Sequence, residues 1–131
     1  VHDAARPRVS RTMMARLIQT ARKTGAAIAA LPVTSTVKKV ELNTGYILNT
    51  EDRKELYLAQ TPQLFRKSLL VDRYEKLGQK ALRATDEAAL FDGSHVKVSV
   101  VSGETGNIKI TTLEDIALFK FYLNCRHSER T

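Results

Sequence analysis

With 131 residues, 43% of them hydrophobic and 27% charged, the chain is long enough for one domain with a buried core and has the balance of a globular protein. No apolar run approaches the roughly 18–20 residues of a membrane-spanning helix, and the lone cysteine, Cys125, excludes an internal disulfide framework. The net charge of +7 favours an anionic partner, but the cations are scattered among only four Tyr, four Phe and no Trp, so a phosphorylated small molecule is expected and nucleic acid is not.

The opening Val1-His2-Asp3-Ala4-Ala5-Arg6-Pro7 reads like the last residue of a buried strand running into a loop. No signal peptide is visible, although the chain does not begin with Met, which leaves a removed leader open. Ser10 is placed to cap a helix over residues 12–23, in which Met13, Met14, Leu17, Ile18 and Ala21 share one face and Gly25 suits the position after the last turn. Ala26 to Leu31 is a continuous apolar run ending at Pro32, the pattern of a strand buried on both faces as in a parallel sheet. A helix followed by such a strand implies α/β layering.

Between Thr36 and Thr50 the apolar Val40, Leu42, Tyr46 and Leu48 are spaced by polar residues around Asn43-Thr44-Gly45, which predicts a β-hairpin. A lone hairpin is marginal in water, so an arm packed on another subunit is one way to stabilise it. Leu69, Leu70, Tyr74 and Leu77 predict a helix over residues 65–77, and Thr85 is placed to cap a short helix over 86–91 with Asp86 and Glu87 near its positive end. A strand over 96–101, a turn over 102–106 and a short strand over 108–110 follow. Thr111-Thr112-Leu113-Glu114 then reads as a capping box for a last helix reaching about Asn124. The polar tail from Arg126 to Thr131 is expected to fray.

Several residues could carry chemistry. Asp3, just past a buried strand, would sit at the carboxyl edge of a sheet, where α/β folds bind ligands. It can hold a divalent cation, and Arg6 can meet phosphate; Asp3 could equally cap the loop that follows it. Arg53, Thr61 beside Pro62, Thr85, Lys109 and Thr111 add a second guanidinium, an ammonium and hydroxyls, the groups needed to hold a phosphorylated polyol. Read singly, Thr85 and Thr111 are ordinary caps, and Arg53 and Lys109 are solvated charges. His2, His95 and His127 lack metal-ligand spacing with Cys125, and there is no nucleophile elbow or Walker-type loop.

The segments Val1–Pro7, Ala30-Leu31-Pro32-Val33-Thr34-Ser35-Thr36-Val37-Lys38, Asp52-Arg53, Gln60-Thr61-Pro62-Gln63-Leu64-Phe65, Thr85-Asp86-Glu87-Ala88 and Asn107-Ile108-Lys109-Ile110-Thr111 occur in the order found in one family. Together they span nearly the whole chain, which resembles the 2-C-methyl-D-erythritol 4-phosphate cytidylyltransferases of non-mevalonate isoprenoid synthesis. The resemblance implies a Rossmann-like nucleotidyltransferase α/β fold, mainly parallel, with residues 1–131 as the C-terminal part of one domain and 36–60 as a dimerisation arm exchanged in a homodimer. It implies Mg²⁺-dependent attack of a sugar-alcohol phosphate on CTP, in a bacterial cytoplasm or a plastid. It implies Asp3 near metal and nucleotide, Arg6 near the acceptor, Thr36 and Arg53 reaching the acceptor bound to a partner subunit, and Thr61, Thr85, Lys109 and Thr111 completing the pocket. Asp3, Arg53 and Lys109 would be the catalytic members.

Two departures stand out. Ser35 replaces a usual acidic residue, and the family's Gly-rich nucleotide loop with its Arg and Lys has no counterpart here. The expectation is therefore that these 131 residues by themselves do not turn over CTP. A ribitol 5-phosphate cytidylyltransferase, which shares the Thr-Pro-Gln and Asn-Ile-Lys elements, and a non-catalytic dimerising or acceptor-binding fragment are the alternatives.

Overall fold

Helix α1 spans Arg11–Thr24 in a computed structural model that describes residues 1–125. The Ser10 side chain accepts the Met13 N–H at 2.9 Å, as a capping serine should. Gly25 ends the helix at φ 90°, a left-handed conformation that side chains resist. The chain then enters strand β1, Ala26–Pro32, whose first five residues are buried.

Strand β1 is the centre of a three-stranded sheet. It pairs antiparallel with β4, Tyr57–Phe65, and parallel with β5, Ser99–Ser102. The α/β layering is as expected, and the parallel pairing expected of β1 exists on one side; the longer pairing is antiparallel, so the sheet in this chain is mixed. Strand β4 has no counterpart among the predicted elements because Pro62 lacks the N–H a ladder uses. The sheet accommodates it by a bulge. Ile28 pairs with Gln63 and the next residue, Ala29, pairs with Gln60, which leaves Thr61 and Pro62 out of the ladder. The Thr61–Pro62 bond is cis.

Fully buried Met13 and Leu17 of α1 pack on Ala27 and Ala29 of β1 and on Val101 of β5. The alanines let the helix lie close to the sheet, so the two long side chains fill the space between the layers. On another part of the chain Phe65 and Phe91 stack with centroids 5.2 Å apart.

The hairpin forms as predicted, from β2, Lys38–Val40, and β3, Ile47–Thr50, in a separate two-stranded sheet. Its apolar residues have nothing to cover them: Leu42 is 95% exposed and Tyr46 74%.

Four local expectations are corrected. Helix α2 spans Lys67–Leu77, because Phe65 still belongs to β4. The short helix after it is a 3₁₀ turn over Ala88–Phe91, and the side chain accepting its Ala89 N–H is Asp86, at 2.9 Å, not Thr85. The strand expected over 96–101 is the shorter β5. Residues 108–110 form no strand; a main-chain bond from Ile110 N–H to Ala5 O, 2.8 Å, ties them to the opening segment. The frayed tail and His127 lie outside the described residues, among which no helix is long and apolar enough to cross a membrane.

Helix α3 spans Leu113–Cys125, and its capping box sits one residue later than expected. Asp115 Oδ2 accepts from Thr112 N–H at 2.9 Å and from the Thr111 N–H and hydroxyl at 2.8 Å each, while Thr112 Oγ1 accepts from Asp115 N–H at 3.4 Å. The Thr111 N–H, foremost among these donors, holds the Asp115 carboxyl below its ordinary value of 3.8. A depressed carboxyl stabilises the fold above its unfolded pKa and loses that contribution as pH falls through the folded one. Acidification through this range is thus expected to lower the exchange protection of the Thr111 and Thr112 amides, measured against the intrinsic rate at each pH, before the sheet opens. Asp115→Asn should remove the pH step; an unchanged step would assign it to another group.

Candidate functional site

The bulge in β4 determines where the site lies. It takes the Thr61 main chain out of the ladder, and Thr61 Oγ1 accepts the Asp3 N–H at 3.0 Å. Val1 and Gln63 exchange main-chain bonds of 2.7 and 2.9 Å, so the opening residues run beside β4. Beyond β5 the chain folds back over Gln60. There the Asn107 side chain, fully buried, donates to Thr61 O at 2.8 Å, and Asn107 O accepts from Arg6 Nη1 at 2.8 Å. These bonds bring three charges together: Asp3 Oδ2 lies 3.2 Å from Lys109 Nζ and 3.5 Å from Arg6 Nε.

The hydrogen bond from Lys109 is the main reason that the Asp3 carboxyl stays below its ordinary 3.8; partial burial opposes it, and the Lys109 and Arg6 charges lower it further. Asp3 is therefore an anion at neutral pH. Its side chain is 34% exposed and that of Lys109 48%, so both can be reached by a ligand.

Asp3, Arg6, Thr61, Thr85 and Lys109 line one cavity of about 490 Å³, within the range of small-molecule sites. The other candidates lie elsewhere. Arg53 starts a 3₁₀ turn after the hairpin and donates to Thr34 O at the base of the arm, where Thr36 is exposed. Thr111 is engaged with Asp115 at the start of α3 and does not line the cavity.

Sequence reasoning gave no role to Gln60, Gln63 and Asn107, although all three are buried. Their types, amides near a proline and a lysine, carry no periodic signal; a pair of glutamines flanked by the apolar Leu58, Ala59, Leu64 and Phe65 was the available hint. Gly103 makes room for one of them. A Cβ there would lie 2.5 Å from Gln60 Oε1 and 3.1 Å from the Ala30 backbone. Gly103→Ala is accordingly expected to destabilise the chain by about 1–3 kcal/mol, the usual cost of overpacking, read as a lower melting temperature; an unchanged melt would show that the loop shifts freely.

The residues also suit the metal that the resemblance implies. Magnesium commonly takes one or two carboxylates and completes its shell with substrate phosphate oxygens and water. Asp3 is such a carboxylate on an open cavity, and no group of three or more His, Cys, Asp or Glu among the described residues offers a closed cage instead.

The comparisons with known proteins agree with one another. The family profile described as 2-C-methyl-D-erythritol 4-phosphate cytidylyltransferase matches residues 1–125. A protein of that name from Syntrophus aciditrophicus is 42% identical over 94% of this chain and 52% of its own length. The "Bifunctional enzyme IspD/IspF" of Anaeromyxobacter sp. (strain Fw109-5) is 48% identical over 89% of this chain and 31% of its own. The crystal structure of 4-diphosphocytidyl-2C-methyl-D-erythritol synthase from Anaerococcus prevotii superposes with a TM-score of 0.84 at 39% identity, covering 94% of this chain and 55% of that one. That of the Thermus thermophilus cytidylyltransferase gives 0.81 at 36%, covering 93% and 59%. The chain thus spans about half the length of the single-function relatives and about a third of the bifunctional ones. With a profile match over residues 1–125 and this fold, the chain belongs to the 2-C-methyl-D-erythritol 4-phosphate cytidylyltransferase family.

Proposed function

We propose that this chain supplies the acceptor side and part of the catalytic centre of a cytidylyltransferase that joins CTP to 2-C-methyl-D-erythritol 4-phosphate. The observation that carries the reading is the convergence of Asp3, Arg6 and Lys109 with the Thr61 and Thr85 hydroxyls on one cavity. In the reaction an acceptor phosphate oxygen forms a bond to the α-phosphorus of CTP. The α–β bridging bond breaks, and pyrophosphate leaves with its electron pair. No protein nucleophile is needed, so the protein's part is to position the phosphates and offset their charge.

Lys109 and Arg6 would meet phosphate oxygens with fixed positive charge, and the Thr61 and Thr85 hydroxyls would orient the polyol. Asp3 would hold Mg²⁺, which when bound neutralises phosphate charge as a Lewis acid. Asp3 also keeps Lys109 and Arg6 aimed into the cavity before any ligand arrives. Thr36 and Arg53, away from this cavity, would serve the acceptor bound to a second copy through the arm; the exposed Leu42, Tyr46 and Ile47 favour such a homodimer.

The test is CTP-dependent pyrophosphate release by the protein from its whole gene, with methylerythritol phosphate or ribitol 5-phosphate as acceptor. Turnover of the first alone is expected. Turnover of the second alone would transfer the same chemistry to another acceptor, and turnover of neither would leave a binding or dimerising role.

A further inference from the structure

We infer that Gln60 and Gln63 are positioning residues that build the two walls of the cavity from the one bulged strand between them. The inference rests on the functional reading above and extends it to residues that need not touch a substrate. Both are buried in the sheet, Gln60 6% and Gln63 1% exposed, where a leucine would be the cheaper occupant. A buried amide is tolerated when its donor and acceptor are both matched, and here each amide is matched by a different wall.

Gln60 holds the wall that follows β5. Its Nε2 donates to Glu104 O at 3.0 Å and its Oε1 accepts the Glu104 N–H at 3.2 Å, the pair of bonds a neighbouring strand would make. The same amide faces Asn107, with Nε2 3.4 Å from Asn107 O and Oε1 3.4 Å from Asn107 Nδ2. Lys109 leaves this clamp two residues later. Gln63 holds the opposite wall: Nε2 donates to Asp86 Oδ2 at 2.8 Å and Oε1 accepts the Ala88 N–H at 3.1 Å. Asp86 in turn caps the Ala88–Phe91 turn, and Thr85 is its neighbour. Because β1 pairs Gln60 and Gln63 with the consecutive residues Ala29 and Ile28, the bulge sets the two residues one ladder step apart while Thr61 Oγ1 accepts the Asp3 N–H. Lys109, Asp3 and Thr85 are thereby set from four successive residues of β4.

The geometry supplies a direct test in the Gln63–Asp86 pair. Gln63→Glu sets a carboxylate against Asp86. Adding Asp86→Asn reverses the bond: the new amide donates to the carboxylate at position 63 while its oxygen still accepts the Ala89 N–H, and that carboxylate still accepts from the Ala88 N–H. In the whole-gene protein, Gln63→Glu is expected to raise the KM for methylerythritol phosphate about 10- to 100-fold and to leave the KM for CTP within about twofold, with faster amide exchange at Ala88 and Ala89. The double variant should return both readouts to within about threefold of the parent, and should do so even if the single variant does not fold.

A double variant that stays as impaired as the single one, or a single variant whose kcat falls with both KM values unchanged, overturns the inference; the first would make Asp86 a substrate contact and the second would place the effect on the chemical step or on the fraction of folded protein rather than on the acceptor wall. Should the parent protein turn over no methylerythritol phosphate, the functional reading fails, and the exchange measurement alone still decides whether Gln63 holds the wall.

Discussion

If the proposed function holds, replacing Lys109 with alanine in the protein from the whole gene is expected to lower kcat/KM for cytidylyl transfer by about 10²–10³, the range seen when one charge-stabilising donor is removed from an active site. Lys109 Nζ lies 3.2 Å from Asp3 Oδ2 on the wall of the cavity, with its side chain 48% exposed. Charge in phosphoryl-type transfer accumulates on the phosphate oxygens, and a fixed ammonium stabilises the crowded transition state more than the separated substrates. Stability should hardly change, because half-exposed ion pairs are worth only about 0–1 kcal/mol. Lys109→Arg keeps the charge but spreads it over a larger plane, so it should fall between the parent and the alanine variant. Pyrophosphate release and a thermal melt measure both quantities. A loss below about fivefold for Lys109→Ala would remove Lys109 from the catalytic group, and a large drop in melting temperature would make it structural.

Leu17→Ala has the opposite profile: a large loss of stability from a residue that reaches no ligand. Leu17 is fully buried and, with Met13, meets the small Ala27 and Ala29. The alanines on the facing strand cannot extend into the space left behind, so the cost should lie within the roughly 2–5 kcal/mol of buried leucine truncations. Against a total stability of about 5–15 kcal/mol that is a large fraction, and the melting temperature should fall by on the order of 10 °C. Ile18, on the same apolar stripe but 37% exposed, provides the control; its truncation should cost about 1 kcal/mol or less. Equal losses at the two positions would mean that α1 is seated on the sheet differently.

The Ile18 contrast shows where one-dimensional reading ends. Met13, Leu17 and Ile18 carry the same helical signal, and only the docked sheet decides that the first two are core. The same limit explains β4. Its Pro62 breaks the local strand pattern, yet pairing with β1 on one side and with Val1 on the other forms a strand around the bulge. Thr85 and Thr111 have the right types for caps, but neighbouring Asp86 and Thr112–Asp115 make the bonds, because a carboxylate reaches an amide one residue away as readily as a hydroxyl does.

Local chemistry and pattern determined helix α1 with its Ser10 cap and Gly25 stop, the buried strand after it, the hairpin and the start of α3 to within a residue. In each case the deciding interactions lie within one turn or one strand. The order of the short motifs likewise determined the family, because several matches in sequence are far more specific than any single residue. Tertiary structure alone decided that the sheet is mixed, that Asp3, Arg6, Thr61, Thr85 and Lys109 share a cavity while Thr36, Arg53 and Thr111 do not, and that Gln60 and Gln63 hold its walls. Those outcomes depend on contacts as distant as the 23 positions between Gln63 and Asp86 and the 101 between Arg6 and Asn107. A side chain's own pattern cannot specify a partner at that distance; it is chosen by which backbones the folded sheet brings within hydrogen-bonding reach.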